Sequence, residues 1–385
     1  MKFDDMVEFE LNIQMDRLRY IKGTLAGNVV CDYPPRKIYI EPTNICNLKC
    51  VHCVHDGALT RKPGYFDYDL YTRMIDDIED LALHTKVQFT GVGEPFFHKR
   101  IFDMIKYASD RGFFTLMNSN ATILDREKCE RLIDSGLDYL HVSLDGVTKQ
   151  TYESIRVGAD FDQVIENIFT LFEVKQEKHG DHLAVILGIV DQQRNRAEVE
   201  RFLRYFEQYP FHHVVAGELF NHMGTVEEAS RNYADKAQTP REAYPVCNTP
   251  WDLLSFNCDG QAVACNYDFD NRYVIGDAHD ERVLDIWNSQ RMQDFRANLL
   301  KRNYTPLEKN GPLCSECTIK WQKDYHLPAG FHAEVARMEE YLTRAIYRCA
   351  HHKERNAELR AKEAAFLGRK DELIRELKAM EGARE

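Results

Sequence analysis

Three thiols fall within eight residues, Cys46-Asn-Leu-Lys-Cys50-Val-His-Cys53, spaced C-x3-C-x2-C. Three thiolates on one turn-forming stretch suit a four-iron cluster that keeps one iron open. A closed zinc site takes four protein ligands, and His52 or His55 could supply the fourth. A second set lies downstream: Cys247, Cys258, Cys265, Cys314 and Cys317. Asp259-Gly260, between the strand-like runs Leu253–Phe256 and Gln261–Ala264, signals a β-hairpin. That hairpin would bring Cys247 and Cys265 together, and Cys314-Ser-Glu-Cys317 adds two thiols on one turn. Cys247, Cys265, Cys314 and Cys317 therefore make a four-ligand set, for zinc or for a fully ligated cluster. Cys258 is extra, a packed hairpin thiol or an alternative ligand, and Cys31, Cys129 and Cys349 read as small apolar residues.

The elements that must position these thiols alternate. Lys37–Glu41 reads as a buried strand ended by Pro42 and Asn44, which puts the first thiols in a loop at a strand's carboxyl end. Further strands are expected at Lys86–Thr90, Phe113–Asn118, Tyr139–Leu144, Leu183–Val190 and His213–Ala216. Helices are expected between them at Tyr68–Leu83, Lys99–Arg111, Asp125–Ser135, Phe161–Lys178 and Arg196–Gln208. The first carries Leu70, Met74, Ile75 and Ile78 on one stripe. Such alternation means βαβ units and a parallel sheet, whether barrel or doubly wound. Polar or glycine motifs follow the strands. Gly91-Val-Gly-Glu-Pro95 lets the backbone approach a ligand and sets Glu94 as an acceptor at the mouth. Asn118-Ser-Asn120 and Ser143-Leu-Asp-Gly146 come next, then Arg156. Asp191, Arg194, Glu218 and His222 stand at the ends of later strands.

The flanks are helical in pattern. Residues 1–27 place Met6, Phe9, Ile13, Leu18 and Ile21 on one face. Residues 217–243 are polar and turn-rich, a linker or substrate-facing loop, and a helix is expected from Val283 to Leu300. The charged tail repeats Met338, Ala345, Leu359, Phe366, Leu373 and Met380 at heptad spacing, with Gly368 as a break. Its other core positions include Asn356, Glu363 and Lys370, a poor coiled coil, so a surface hairpin or a homodimer arm is expected. The expected units are a helical extension at 1–36, a barrel at 37–240, an auxiliary domain at 241–328 and a helical tail at 329–385.

The 385 residues carry a net charge of −12, which speaks against a broad nucleic-acid groove. No apolar run is long enough for a membrane span. The N-terminus is acidic and lacks a signal-peptide core, so a cytoplasmic location is expected. There, eleven cysteines point to metal or redox chemistry rather than disulfides.

The first thiol stretch resembles the signature of the radical S-adenosylmethionine (SAM) enzymes, and the resemblance covers roughly residues 37–325. It implies a partial (β/α)6 barrel, with Cys46, Cys50 and Cys53 on a [4Fe–4S] cluster whose fourth iron is chelated by SAM. The cluster's electron splits SAM, and a 5′-deoxyadenosyl radical takes hydrogen from substrate. His52 stands where the family has an aromatic residue and would pack on adenine. Gly91, Gly93 and Glu94 are similar to the family's GGEP segment, whose backbone meets the SAM amino group. Ser119 and Asn120 resemble its ribose and carboxylate contacts, Ser143 and Asp145 its S-x-D-G, and Arg156 its carboxylate-binding arginine. Ile189 falls on the strand edge that meets adenine. The second thiol set resembles the family's SPASM/twitch extension, together with Ile275-Gly-Asp before Ile286-Trp-Asn. Lys323 stands near the next expected cysteine, which implies the shorter twitch form with one auxiliary [4Fe–4S] cluster.

A fully ligated auxiliary cluster would accept an electron. The expected reaction is dehydrogenation of a small sugar-like or aminocyclitol substrate, free or nucleotide- or lipid-linked, with Asp191, Arg194, Glu218 or His222 taking the proton. Only 36 residues precede the first strand, few for the leader-binding domain of peptide-modifying relatives. The alternatives are redox-neutral epimerisation or rearrangement, with Cys258 or Cys129 as hydrogen donor, peptide or protein maturation, and a zinc-stapled binding protein. A flavodoxin or ferredoxin is the expected electron donor. Neither a nucleic acid nor a membrane is expected as a partner.

Overall fold

The computed structural model describes residues 26–55, 57–232, 239–240, 243–321 and 352–381, with 12, 15, 16, 19 and 23 besides. Met6, Phe9, Ile13, Leu18 and Ile21, and Lys323, Met338, Ala345 and Cys349 of the tail, lie outside the described residues.

Six strands form in the expected places: β1 (Lys37–Ile40), β2 (Lys86–Phe89), β3 (Phe114–Ser119), β4 (Tyr139–Ser143), β5 (Ala184–Asp191) and β6 (His213–Glu218). Each pairs parallel with the next. Between them run α1 (Tyr68–Asp76), α2 (Ile101–Asp110), α3 (Arg126–Asp134), α4 (Lys149–Ile155), α5 (Phe161–Glu177) and α6 (Val199–Phe206). This is the partial (β/α)6 barrel. Asp67, Asp125, Thr148 and Asp160 cap α1, α3, α4 and α5 through their side chains. On the strands Ile38, Ile40, Val87, Phe89, Met117, Leu140, Val142 and Leu187 are buried in the core under the helices. Successive side chains alternate in direction, so Tyr39, Gln88, Asn118, His141 and Ser143 face the lumen.

Helix α1 is shorter than its periodicity suggested. It stops at Asp76, and a 3-10 turn follows at Glu79–Leu81, yet Leu70, Met74, Ile75 and Ile78 are all buried. Where it stops, the Asp77 carboxylate accepts from Arg282 Nε (2.6 Å) and Val283 N (2.9 Å).

After β6 come α7 (Glu227–Asn232) and the hairpin β7 (Leu253–Phe256) with β8 (Gln261–Val263), then β9 (Val274–Asp277). Strand β7 pairs parallel with β1, Ile38 opposite Leu254 and Ile40 opposite Phe256. The hairpin thus extends the barrel sheet, and one core runs from Ile38 to Trp287. The helix expected over 283–300 is two, α8 (Val283–Trp287) and α9 (Gln290–Leu300). At the break Asn288 bonds both Cys31 N (2.9 Å) and Cys31 O (2.8 Å), and Ser289 caps α9. Cys31 and Cys129 are buried, as small apolar residues should be.

The described tail is α10 (His352–Gly368) and α11 (Lys370–Glu381), broken at Gly368 as expected. It packs on its own barrel. Phe366 stacks on Phe169 at 4.5 Å, and the buried Glu363 Oε1 pairs with Lys175 Nζ at 2.6 Å. No helix among the described residues is long and apolar enough to cross a membrane.

Candidate active site at the carboxyl end of the barrel

The loop after β1 carries Cys46, Cys50 and Cys53 and is clamped from three sides. Asn44 Nδ2 donates to Lys62 O (2.9 Å), and Asn44 Oδ1 accepts from Gly64 N (2.8 Å). The glycine loop after β2 lies against it. A Cβ on Gly93 would meet Thr43 O at 2.2 Å, and one on Gly91 would meet Glu41 Cγ at 2.5 Å. Cys50 faces Arg156 in a short antiparallel pair, and Val51 N donates to Ile155 O (3.0 Å). Backbone amides turn toward the sulfurs, Leu48 N to Cys46 Sγ and His55 N to Cys53 Sγ, both at 3.5 Å. Burial raises all three thiols, Cys50 to about 12, while the Arg156 guanidinium pulls each down. Three mutually interacting sulfurs with amide donors and a cation beside them fit the demands of an anionic iron–sulfur cluster. Among the described residues no three His, Cys, Asp or Glu side chains converge as ligands of a single ion. The fit therefore rests on the donor chemistry.

Arg156 is held by Asp145. Its Nε donates to Asp145 Oδ2 at 2.7 Å, with both side chains buried, and this pairing keeps the guanidinium fully charged. Asp145 Oδ1 accepts from Val190 N (2.8 Å). His52 Nε2 lies 3.7 Å from Asp145 Oδ2, and its ring is kept neutral by burial. Sequence reasoning missed two supports here. Gln192 Nε2 meets His52 Nδ1 at 3.3 Å, and Asn195 Nδ2 donates to Asp145 O (3.0 Å) and Val190 O (2.9 Å). Glu198 is a third, accepting from Val147 N (3.0 Å), Thr148 Oγ1 (2.9 Å) and Thr151 Oγ1 (2.6 Å).

One expected ligand contact turns inward instead. The Glu94 carboxylate is occupied by Ser119 Oγ (2.8 Å), Asn120 N (2.8 Å) and Phe96 N (3.3 Å), and burial raises it to about 7. It is a strut under β3, not an acceptor at the mouth. The Ile189 side chain is buried in the outer core, so only its backbone faces the site. Asn120 does reach the thiols, with Nδ2 3.8 Å from Cys46 Sγ. Ser143 faces the lumen opposite Gly188.

The expected proton acceptors fare worse. Asp191 and Glu218 are neighbours across the β5–β6 ladder at outward positions. Asp191 Oδ1 is taken by Arg196 Nε (3.1 Å), and Arg194 and Glu218 are exposed. His222 is nearer the site, its ring 3.9 Å from that of Phe220, and burial lowers it to about 3. The lumen supplies groups the sequence reading passed over, Tyr39, Gln88 and His141, beside the expected Asn118, whose Oδ1 accepts from Gln88 Nε2 (3.1 Å). Their signal was polarity at every second position of strands that a covered parallel sheet would fill with apolar residues.

The second thiol set gathers as the hairpin implied. Cys265 feels Cys247 and Cys317, and Cys314 feels all three, with burial raising Cys265 and Cys314 well above the ordinary range. Cys258 stands apart. Its Sγ accepts from Arg61 Nη1 (3.5 Å) and its N donates to Glu41 Oε2 (2.9 Å), beside the buried Arg61–Glu41 pair. It is a packed seam thiol.

Residues 40–203 match the family model of the radical SAM superfamily, and residues 247–318 that of an iron-sulfur cluster-binding domain called SPASM. The two spans make up more than half of the chain. A tungsten-containing aldehyde ferredoxin oxidoreductase cofactor-modifying protein of Pyrococcus furiosus is 24% identical over 326 residues, covering 75% of this chain and 88% of that protein. An AdoMet-dependent heme synthase of Nitratidesulfovibrio vulgaris is 31% identical over 129 residues, 33% of this chain and 35% of that one. In fold, the chain is similar to SuiB of Streptococcus suis bound to its precursor peptide SuiA, with TM-score 0.55, 14% identity, and coverage of 71% and 69% of the two chains. The cofactors are SAM and a [4Fe–4S] cluster, with an auxiliary iron–sulfur cluster in the second domain. The chain belongs to the radical SAM enzymes, in the subgroup that carries a SPASM/twitch domain.

Proposed function

We propose that this enzyme dehydrogenates a small polar substrate, a sugar or aminocyclitol, bound in the barrel lumen. Bound SAM and its cluster supply the 5′-deoxyadenosyl radical. Cys46, Cys50 and Cys53 hold that cluster, Arg156 meets the SAM carboxylate, and Cys247, Cys265, Cys314 and Cys317 hold the auxiliary one.

His141 carries the reading. Its ring lies on the lumen face against the backbone of Gly188, where a Cβ would come within 2.2 Å of Nε2. Nδ1 is buried without a hydrogen-bond partner, and Nε2 has none among the described residues. An unpaired buried group of this kind costs about 1–3 kcal/mol, which a substrate hydroxyl or amine would recover. Burial, then the Arg156 charge, lowers the ring to about 4, so it is neutral, with one nitrogen to donate and one to accept. Oxidising a secondary alcohol releases a hydrogen atom, a proton and an electron. His141 stands to take the proton, in place of Asp191, Arg194 or Glu218. Tyr39, on the lumen face of β1, is near enough to Cys265 for the two to interact. Free thiols throughout the described residues suit a reducing cytoplasm.

The test is a panel of aminocyclitols, inositols and hexoses given to anaerobically reconstituted enzyme with SAM and dithionite. One compound should raise 5′-deoxyadenosine release and yield an equal amount of a product lacking two hydrogens. A product isomeric with its substrate would instead mean epimerisation.

A second reading, peptide maturation, rests on β6. That strand ends the sheet, and Val215, Ala216, Gly217 and Glu218 are exposed along it. An extended peptide can add to such an edge through main-chain bonds. Release of 5′-deoxyadenosine stimulated by a peptide and by none of the small molecules would favour it.

A further inference from the structure

The auxiliary unit carries a cavity on its outer side lined by Arg272, Arg291 and Lys309, with Asp294 the one carboxylate among its lining residues. This is a basic face on a chain of net charge −12. Several other surface cations are ion-paired: Lys106 with Asp110 (2.8 Å), Lys149 with Asp162 (2.7 Å), Lys178 with Asp134 (2.5 Å). Arg291 and Lys309 have no ion-pair partner among the described residues.

The face is built onto the loop that carries Cys314. Arg272 Nη1 donates to Pro312 O, and Asn310 Nδ2 donates to Arg272 O (2.9 Å). Glu308, beside Lys309, accepts from Leu313 N (3.2 Å), Ser315 N (2.7 Å) and Ser315 Oγ (2.9 Å). Lys309 and the auxiliary thiol Cys314 thus share one short stretch, 308–315, to which Arg272 is bonded.

We propose that this face docks an acidic one-electron carrier protein of the flavodoxin or ferredoxin class against the Cys314 loop. Charge complementarity of this kind steers encounter and weakens with salt. Redox encounters also need only small interfaces. One electron passes between the carrier's flavin or iron centre and the auxiliary site, each changing by one in opposite senses. No bond and no proton moves. The proposal goes beyond the substrate question, since any net oxidation leaves an electron to remove.

The experiment measures binding of oxidised flavodoxin and of a plant-type ferredoxin to reconstituted holoenzyme by calorimetry, at low and at physiological ionic strength. Wild type should bind one of them, more weakly as salt rises. The double variant Arg291→Glu/Lys309→Glu should bind it at least about tenfold more weakly, the effect of like charges brought together across an interface. Its iron content and dithionite-driven SAM cleavage should stay unchanged. Reversing Lys106 and Arg204, which are exposed on the barrel helices, alters net charge equally and should leave binding alone. Equal weakening in that control, undiminished binding in the double variant, or no binding of either carrier to wild type would each overturn the proposal. So would binding of a short RNA, but not of the carriers, that depends on Arg291 and Lys309.

Discussion

At the scale of single residues, the Asp145–Arg156 pair backs the thiol loop. Both side chains are buried, and Arg156 also pairs with Cys50 through the backbone. Removing one partner strands the other charge, at about 3–5 kcal/mol. Arg156→Ala should therefore lose SAM binding, read by equilibrium dialysis, and unfold at lower denaturant. Unaltered SAM affinity would remove Arg156 from the site. His141 gives a pH signature. Its folded value is about 4 against an ordinary 6.5, so between those values the unfolded chain binds more protons. Its contribution is fully present above pH 6.5 and lost as pH falls toward 4. The denaturation midpoint of wild type should fall more steeply across that window than that of His141→Gln, and parallel curves would count against a neutral buried ring. The sequence disclosed Asp145 and Arg156 because their job fixes both type and spacing. It hid Gln192 and Asn195, whose amides act on backbone carbonyls and on another side chain, a task many loop residues could perform.

Among the elements, the tail is the instructive case. Asn356, Glu363 and Lys370 spoil its heptads only if the partner is a second copy of the same helix. The partner is α5, where Lys175 waits for Glu363 and Phe169 for Phe366. Glu363→Ala leaves Lys175 buried and unpaired and should cost about 3–5 kcal/mol of tail docking. Limited proteolysis within α10 should accelerate while the barrel core stays resistant, and an unchanged cleavage pattern would refute the docking. The glycine loop after β2 makes the opposite demand. At Gly93 even a methyl group would strike the Thr43 carbonyl, so Gly93→Ala should displace the thiol loop and lower iron incorporation. Full iron with normal SAM cleavage would show that the loop can yield. Here the motif was readable before the contact, because a glycine pair after a strand has few uses other than close approach.

For the molecule as a whole, two four-iron clusters predict about eight irons per chain. Cys314→Ala should lower that to about four and leave dithionite-driven SAM cleavage in place, whereas undiminished iron would move the auxiliary site elsewhere. The parallel strands were readable from apolar periodicity, since each is local. The joining of β7 to β1 was not. It pairs residues far apart in the chain, and nothing in either strand's own pattern names its partner. That ladder has a mechanical meaning. Barrel and auxiliary unit share a hydrogen-bonded edge, so they cannot swing apart as two jaws without tearing a sheet. The thiol loop after β1 and the hairpin with its own thiols are held a fixed number of strands apart, about 4.8 Å per step.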